Sequence, residues 1–266
     1  MTTDLQALLD AEPGGWPDDA QRDRLVGDWW IWQRKRGHRT STDDVLTAWL
    51  AARGGARPAR YIDLGCGIGS VMLLTAHRLR PGETRGVEAQ AQSVAMAQRT
   101  IAELPDPPPI EVTHGDLRNV TADGFGRFDL VTGSPPYLPL GTGVLSPDAQ
   151  RRACRFELRG GVEAYCAAAA RVMADDGRFS LVFQTIWQDR VVAAGREAGL
   201  HLHEQVDVTT REGNADPFLS VFGFGHTATS DVRREHLVVR AADGSIHPTW
   251  QRVRNDLGLD APPSAD

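Results

Sequence analysis

Short apolar runs of strand length alternate with stretches of helical periodicity through the middle of this chain. The runs fall at 61–64, 84–87, 110–113, 128–132 and 179–183, and helical spacing fills 70–80, 91–103 and 162–172 between them. Strands that read as nearly continuous apolar runs belong to sheets covered on both faces, and strict β, α alternation gives a parallel sheet. The helix over 91–103 stops at Pro105 and Pro107-Pro108-Pro109, which cannot continue it. Val162, Tyr165, Cys166, Ala169 and Val172 keep one helical face, Asp175-Asp176-Gly177 turns the chain into the strand at 179–183, and Trp187, Val191, Ala194 and Ala198 mark another amphipathic helix. Segments 203–208 and 218–224 suit an antiparallel closing pair, with 235–240 as an added edge strand. The expected fold is α/β: a doubly wound, mainly parallel, seven-stranded sheet with a helical N-terminal extension.

That extension holds a short helix over 4–9, a turn-rich segment Glu12-Pro13-Gly14-Gly15-Trp16-Pro17, and a tryptophan-rich stretch with Trp29, Trp30 and Trp32. A further helix starts near Ser41 or Thr42, where Ser, Thr and Asp are good N-caps, and places Val45, Leu46, Trp49 and Leu50 on one face. Together with Trp16, the tryptophans are either core packing or an aromatic lid over a planar substrate. Residues 261–266 are expected to be a disordered tail.

The chemistry begins where the strand at 61–64 breaks into Gly65-Cys66-Gly67-Ile68-Gly69-Ser70. Glycines at a strand end allow a sharp turn and a close backbone approach to a ligand. Their spacing misses the G-x-G-x-x-G dinucleotide fingerprint, whose third glycine would fall at Ser70, and no G-x-x-x-x-G-K-[ST] phosphate loop is present. Three more markers follow at predicted strand ends: Gly86-Val87-Glu88, Gly115-Asp116-Leu117 and Ser134-Pro135-Pro136-Tyr137. Ligands of open α/β sheets bind at that rim, where strand order reverses.

In this order the markers resemble those of class I S-adenosylmethionine (SAM)-dependent methyltransferases, which have a Rossmann-like fold. Asp63-x-Gly65-x-Gly67-x-Gly69 is similar to their motif I. The resemblance implies SAM as cofactor, with Glu88 accepting both ribose hydroxyls and Asp116 the adenine amino group. Asp63, Gly65, Cys66, Gly67, Ala89, Leu117 and Ser134 would complete the pocket. Ser134-Pro135-Pro136-Tyr137 resembles the catalytic motif of amino-directed methyltransferases. The exocyclic amine of a base is a poor nucleophile because its lone pair is delocalised. Hydrogen bonds accepted by Ser134 and the Pro135 carbonyl would localise it, and Tyr137 offers a ring for stacking. Such chemistry implies no metal, and His114 reads as a strand-end residue rather than a base.

The match narrows at Gln33-x-x-x-Gly37-His38-Arg39-Thr40-Ser41-Thr42-Asp43 and Arg155-Phe156-Glu157, which resemble the bacterial valine-tRNA adenine-N6 methyltransferases. It implies that residues 1–55 form an extension that covers the cofactor through Arg39 and Asp43, that 56–240 are the methyltransferase domain, and that 241–266 are a C-terminal tail. It also implies tRNA as partner; with Tyr137 as the stacking ring, the basic residues Arg34, Lys35, Arg36 and Arg155 read either as contacts to that substrate or as solvated faces. That family has Asn before Pro-Pro-Tyr where this chain has Ser134, and Ser-Pro-Pro-Tyr also occurs in methyltransferases of cytosine N4. A small molecule or protein side chain as substrate, and a SAM-binding protein without catalysis, remain as alternatives.

Composition adds limits. The chain has 266 residues, 41% of them hydrophobic, and a net charge of −6. An acidic chain has no strong general attraction to nucleic acid, so any RNA contact must be local, as in the cluster Arg34-Lys35-Arg36-Gly37-His38-Arg39. Cys66, Cys154 and Cys166 form no C-x-x-C pair and read as buried free thiols, with neither a zinc site nor a disulfide. No apolar stretch reaches membrane-spanning length and the N-terminus lacks a secretory pattern, so the expected location is the cytoplasm, away from membranes.

Overall fold

The computed structural model describes residues 5–261. A short helix α1 (Leu5–Asp10) leads into a hairpin of β1 (Ala20–Val26) and β2 (Trp29–Arg34), followed by α2 (Thr42–Ala52). The alternating part runs β3 (Arg60–Leu64), α3 (Ser70–Leu79), β4 (Glu83–Glu88), α4 (Ala91–Ala102), β5 (Ile110–His114), α5 (Ala122–Phe125) and β6 (Phe128–Gly133). Then come α6 (Ala149–Arg155), α7 (Val162–Val172), β7 (Met173–Gln184), α8 (Gln188–Glu197), β8 (His201–Arg211), β9 (Leu219–Gly225), β10 (Arg233–Arg240) and α9 (Pro248–Leu257).

The central sheet has eight strands in the order β10-β8-β9-β7-β6-β3-β4-β5. These are the seven expected plus the edge strand β10, which pairs parallel to β8. Only β9 runs antiparallel, to both β7 and β8. Strand order reverses between β3 and β6, both parallel to each other, so a crevice opens beyond their C-terminal ends. Both faces of the sheet are covered, which is why β3 buries Tyr61, Ile62, Asp63 and Leu64 in succession. One apolar layer joins Leu46, Trp49, Met72, Leu73 and Val253, and the other joins Phe128, Cys166, Ala169, Val172 and Phe224.

Three differences from the sequence reading have physical causes. The extension is not wholly helical, because the hairpin's alternating burial (Trp29, Ile31 and Gln33 inward) makes it a one-sided sheet laid on α3 and α4. Trp29 and Trp32 serve packing: Trp29 Nε1 donates to the Pro105 carbonyl at 3.1 Å, and Trp32 Nε1 to Glu103 Oε2 at 2.9 Å, whereas Trp16 and Trp30 are exposed. Asp175-Asp176-Gly177 does not end a helix and start a separate strand, since β7 already begins at Met173. Between the pairs Phe128 with Met173 and Leu130 with Arg178 the extra residues form a bulge. Gly177 fits there because a Cβ would stand 2.9 Å from the Phe128 carbonyl oxygen.

The segment 241–266 is no tail over most of its length. His247 caps α9 by accepting from the Thr249 N–H, Pro248 opens the helix, and Trp250, Val253 and Leu257 are buried. The helix packs on α2, α3 and β10, and Trp49 Nε1 donates to Asp256 Oδ2 at 2.8 Å. The disorder expected for 261–266 falls, beyond Ala261, outside the described residues. Among the described residues no helix is long and apolar enough to cross a membrane.

Because α9 is part of the core, Trp250→Ala should cost roughly 3 kcal/mol or more of stability, the range for deleting a large buried ring. Urea unfolding checks this. The midpoint should fall with little change in slope, and an unchanged midpoint would mean that α9 contributes nothing to the fold.

Candidate functional site

A cavity of about 450 Å³ lies beyond the C-terminal ends of β3, β4 and β6. Its wall takes Asp63, Gly65, Cys66 and Gly67 from the glycine turn, Glu88 and Ala89 from the end of β4, and Asp116 and Leu117 after β5. Ser134, Pro135, Pro136 and Tyr137 follow β6, Arg39 and Asp43 come from the extension, and Arg155 from the end of α6. One rim thus gathers every residue expected at the cofactor and every residue expected at the reaction. Arg34, Lys35 and Arg36 are not among its lining. Arg34 is held instead by Asp19 at 2.7 Å and Asp148 at 2.8 Å, where it ties β2 to the start of α6. Lys35 and Arg36 are exposed beside it.

The turn is tight for two reasons. At Gly65 (φ +63°) a Cβ would collide with the Tyr165 hydroxyl, while at Gly67 (φ +56°) nothing lies within 4 Å of where a Cβ would stand. The first glycine makes room for the protein's own ring, and the second leaves open space on the cavity side.

The acids differ in environment. Burial lifts Asp63 to about 7, against a hydrogen bond from Thr132 Oγ1 at 2.6 Å, and the charges of Asp44 and Glu88 add to the rise. Thr132 is in turn 2.7 Å from the Tyr61 hydroxyl, so one Asp63 oxygen is fixed by a buried chain while Oδ2 has no partner. Asp44, capping α2 by accepting from the Ser41 N–H at 2.9 Å, is also lifted to about 7, by burial. Glu88 accepts the Gly67 N–H at 2.9 Å and the Gln90 N–H at 2.7 Å; burial outweighs these bonds and raises it. Each of its oxygens still has a lone pair for a further donor. Burial also acts to raise Asp116, but the Arg118 side chain and N–H reverse this and leave it below the ordinary carboxylate value.

The tetrapeptide after β6 is held from both sides. Tyr137 donates its hydroxyl to Asp43 Oδ2, and its ring meets Phe183 edge to face with centroids 5.0 Å apart. Burial, then the Asp43 charge, raises Tyr137 well above the usual phenol value, so it stays neutral. Ser134 Oγ is buried with no partner. Buried polar atoms are rarely left unsatisfied, and together with Asp63 Oδ2 and the bare Gly67 this one marks space shaped for a polar ligand.

Several residues at the cavity went unforeseen. Tyr165, on the helix face that the spacing predicts, also fills the space left by Gly65, just beyond β3, and Gly133, the last residue of β6. Those two glycines at adjacent strand ends are the signal. Arg159 lines the cavity and makes a two-pronged ion pair with Glu12, at 2.9 and 2.6 Å, which brings the segment after α1 to the site. No spacing in the sequence could join residues so far apart. His38 and Gln184 also line the wall. His114 bonds the Ala89 carbonyl at 2.9 Å from outside the lining, as suits a strand-end residue. The three cysteines are unpaired, and burial pushes Cys154 up to about 12 and Cys66 upward as well, so neither offers a thiolate.

Among known proteins, the methyltransferase small domain family matches residues 42–145. The tRNA1(Val) (adenine(37)-N6)-methyltransferase of Citrobacter koseri is 28% identical over 207 residues, covering 77% of this chain and 82% of the relative. The enzyme of the same name from Bacteroides thetaiotaomicron is 29% identical over 69% of this chain and 75% of its own length. In structure, a predicted O-methyltransferase of Agrobacterium tumefaciens superposes with a TM-score of 0.59 at 22% identity, covering 85% of this chain and 99% of that one. The 16S rRNA N2 methyltransferase of Thermus thermophilus, in complex with AdoMet and guanosine, gives 0.50 at 18% identity over 78% of this chain and 50% of that one.

The buried acids set a pH dependence. With their folded pKa raised above the unfolded value, Asp63 and Asp44 favour the folded state fully below about pH 4, and lose that contribution as pH rises through about 7. The melting temperature of the ligand-free protein is therefore expected to fall between pH 5 and 8, and Asp63→Asn should flatten the profile in part. Equal slopes for the two proteins would show that Asp63 is already ionised in the fold.

Proposed function

This chain belongs to the class I SAM-dependent methyltransferases, and from that premise we propose that it methylates the exocyclic N6 amine of an adenine in tRNA. SAM is its cofactor. Support for the substrate comes from the relatives named for adenine-N6 methylation of tRNA, which align over more than two thirds of this chain. The observation that carries the amine chemistry is the buried, unpartnered Ser134 Oγ on the cavity wall beside the Tyr137 ring.

Bound SAM supplies a methyl group already activated on a sulfonium centre, so the protein's task is mainly positioning. Asp63, Gly65, Cys66 and Gly67 would hold the cofactor from below, and the two Glu88 oxygens, each with a lone pair left, would accept the ribose hydroxyls. Asp116, Leu117 and Ala89, on the same wall, would hold the adenine. Arg39 and Asp43 line the cavity from the extension, which supports reading residues 1–55 as a covering segment for the domain at 56–240. On the reaction side, Ser134 Oγ and the Pro135 carbonyl accept the two amine hydrogens. This draws the nitrogen lone pair out of conjugation with the ring and toward the methyl carbon. That nitrogen would take the methyl carbon of bound SAM, the N–C bond forming as the C–S bond breaks, and the proton lost from the methylated nitrogen would pass to solvent. Pro135 and Pro136 have no N–H to compete for the amine. Tyr137, fixed by Asp43 and Phe183, offers a ring face on which the base stacks, with Arg155 at the mouth for the chain carrying it. A tRNA substrate supports a cytoplasmic location.

Incubation with methyl-tritiated SAM and separate pools of tRNA, rRNA, protein and small metabolites tests this. Label in tRNA that digests to N6-methyladenosine is expected; label in cytosine would overturn the base, and label only in protein or metabolites would overturn the substrate. In the same assay Tyr137→Ala should lower turnover by roughly 100-fold or more while calorimetry finds SAM affinity nearly intact, because positioning rather than cofactor binding is lost. Tyr137→Phe, which keeps the ring and removes only the bond to Asp43, should retain most of the activity. Joint loss of SAM binding and turnover in both variants would contradict the role given to this ring.

A further inference from the structure

Next to the cavity-wall residue Gln184 the chain carries an apolar lip that packing does not explain. The wall residue Gln184 ends β7, and the next residues are Thr185, Ile186 and Trp187. Opposite them, Phe218 immediately precedes β9, and its carbonyl accepts the Thr185 N–H at 3.4 Å, so these residues share one edge of the sheet's C-terminal rim. Thr185 is pinned by Ser220 at 2.8 Å, and Ser220 by Asp207 at 2.6 Å, which makes the edge rigid beneath its exposed residues. Ile186 is 82% exposed, Trp187 42% and Phe218 37%. Nearby stand Asp189 and Asp216, two residues beyond Trp187 and two before Phe218. Acids in these positions make the lip a poor phosphate site. The adjoining wall offers the exposed Arg155, for which no side-chain bond or ion pair is found among the described residues.

We propose that Ile186, Trp187 and Phe218 form a stacking platform for the nucleobases next to the methylated adenine, so that this acidic protein holds RNA chiefly by base stacking. The inference rests on the RNA reading above and extends it to how the substrate is gripped. A base delivered to Tyr137 must leave the stack of its own strand, and its neighbours then present bare π-faces at the cavity mouth. Aromatic rings take such faces without regard to sequence, at about 1–3 kcal/mol per base. Stacking needs no excess of cations, which reconciles an RNA substrate with a net charge of −6. The remaining phosphate contact falls to Arg155.

The experiment compares steady-state KM for tRNA in wild type, Trp187→Ala, Phe218→Ala and Trp187→Phe, over a series of salt concentrations, with SAM affinity by calorimetry as a check on folding. Each alanine variant should raise KM roughly 10-fold, with SAM affinity and the salt slope unchanged, and Trp187→Phe should recover most of the loss. Arg155→Gln should instead make the already shallow salt slope shallower by about one phosphate. If wild type methylates tRNA and the alanine variants keep its KM, the platform is overturned and the lip belongs to another partner, such as a protein. Should wild type leave RNA unmethylated, the substrate reading fails first and the platform with it. Were Trp187→Ala to lose SAM affinity through misfolding, Trp187→Phe and Phe218→Ala decide by the same criteria.

Discussion

Everything at the site is levelled by one ring. Tyr165 projects from α7 into the gap where β3 and β6 part, and both strands have a glycine at the point of contact. A side chain at Gly65 would meet its hydroxyl, and one at Gly133 would come within 2.7 Å of its edge. The ring is therefore a shim. It fixes the height at which the glycine turn leaves β3 and at which the Ser134 loop leaves β6. In the proposed reaction the donor and acceptor sides hang from those two strand ends. A rigid core packs without voids, so displacing this ring would move both ends together and not one alone.

Around that fixed frame the protein concentrates negative charge. Asp43, Asp44, Asp63 and Glu88 all line the same cavity, three of them buried, where ionised carboxylates are costly without partners. In isolation the arrangement is expensive, and the upward shifts of Asp44, Asp63 and Glu88 record that cost. A ligand bearing a sulfonium and an ammonium group relieves it, whereas a nucleotide rich in phosphate would aggravate it. Around these acids a cationic group is therefore favoured over a phosphate, independently of the shape of the glycine turn.

Much of this was legible in the sequence, and the reason is locality. Gly65, Glu88, Asp116 and Ser134 each sit at the end of a run whose apolar character marks a strand buried on both faces, and parallel topology carries all such ends to one rim. What stayed hidden depended on contacts between distant residues. The Arg159 to Glu12 pair joins two loops, Arg34 was spent on Asp19 and Asp148, and the hairpin of β1 and β2 was obscured by a tryptophan run whose alternation shows only once α4 lies beneath it. Helix α9 was missed for a related reason. Its sequence is polar overall, and only Trp250, Val253 and Leu257, at helical spacing, betray a buried stripe.

The bond from Trp49 to Asp256 has a consequence for how the molecule is made. Helix α2 carries Asp43 and Asp44 at its first turn and is backed, on its far side, by a helix encoded more than two hundred residues later. During synthesis the nucleus of the sheet, β3 to β7, emerges long before that backing exists. One wall of the cavity consequently lacks this backing on the ribosome until α9 has cleared the exit tunnel.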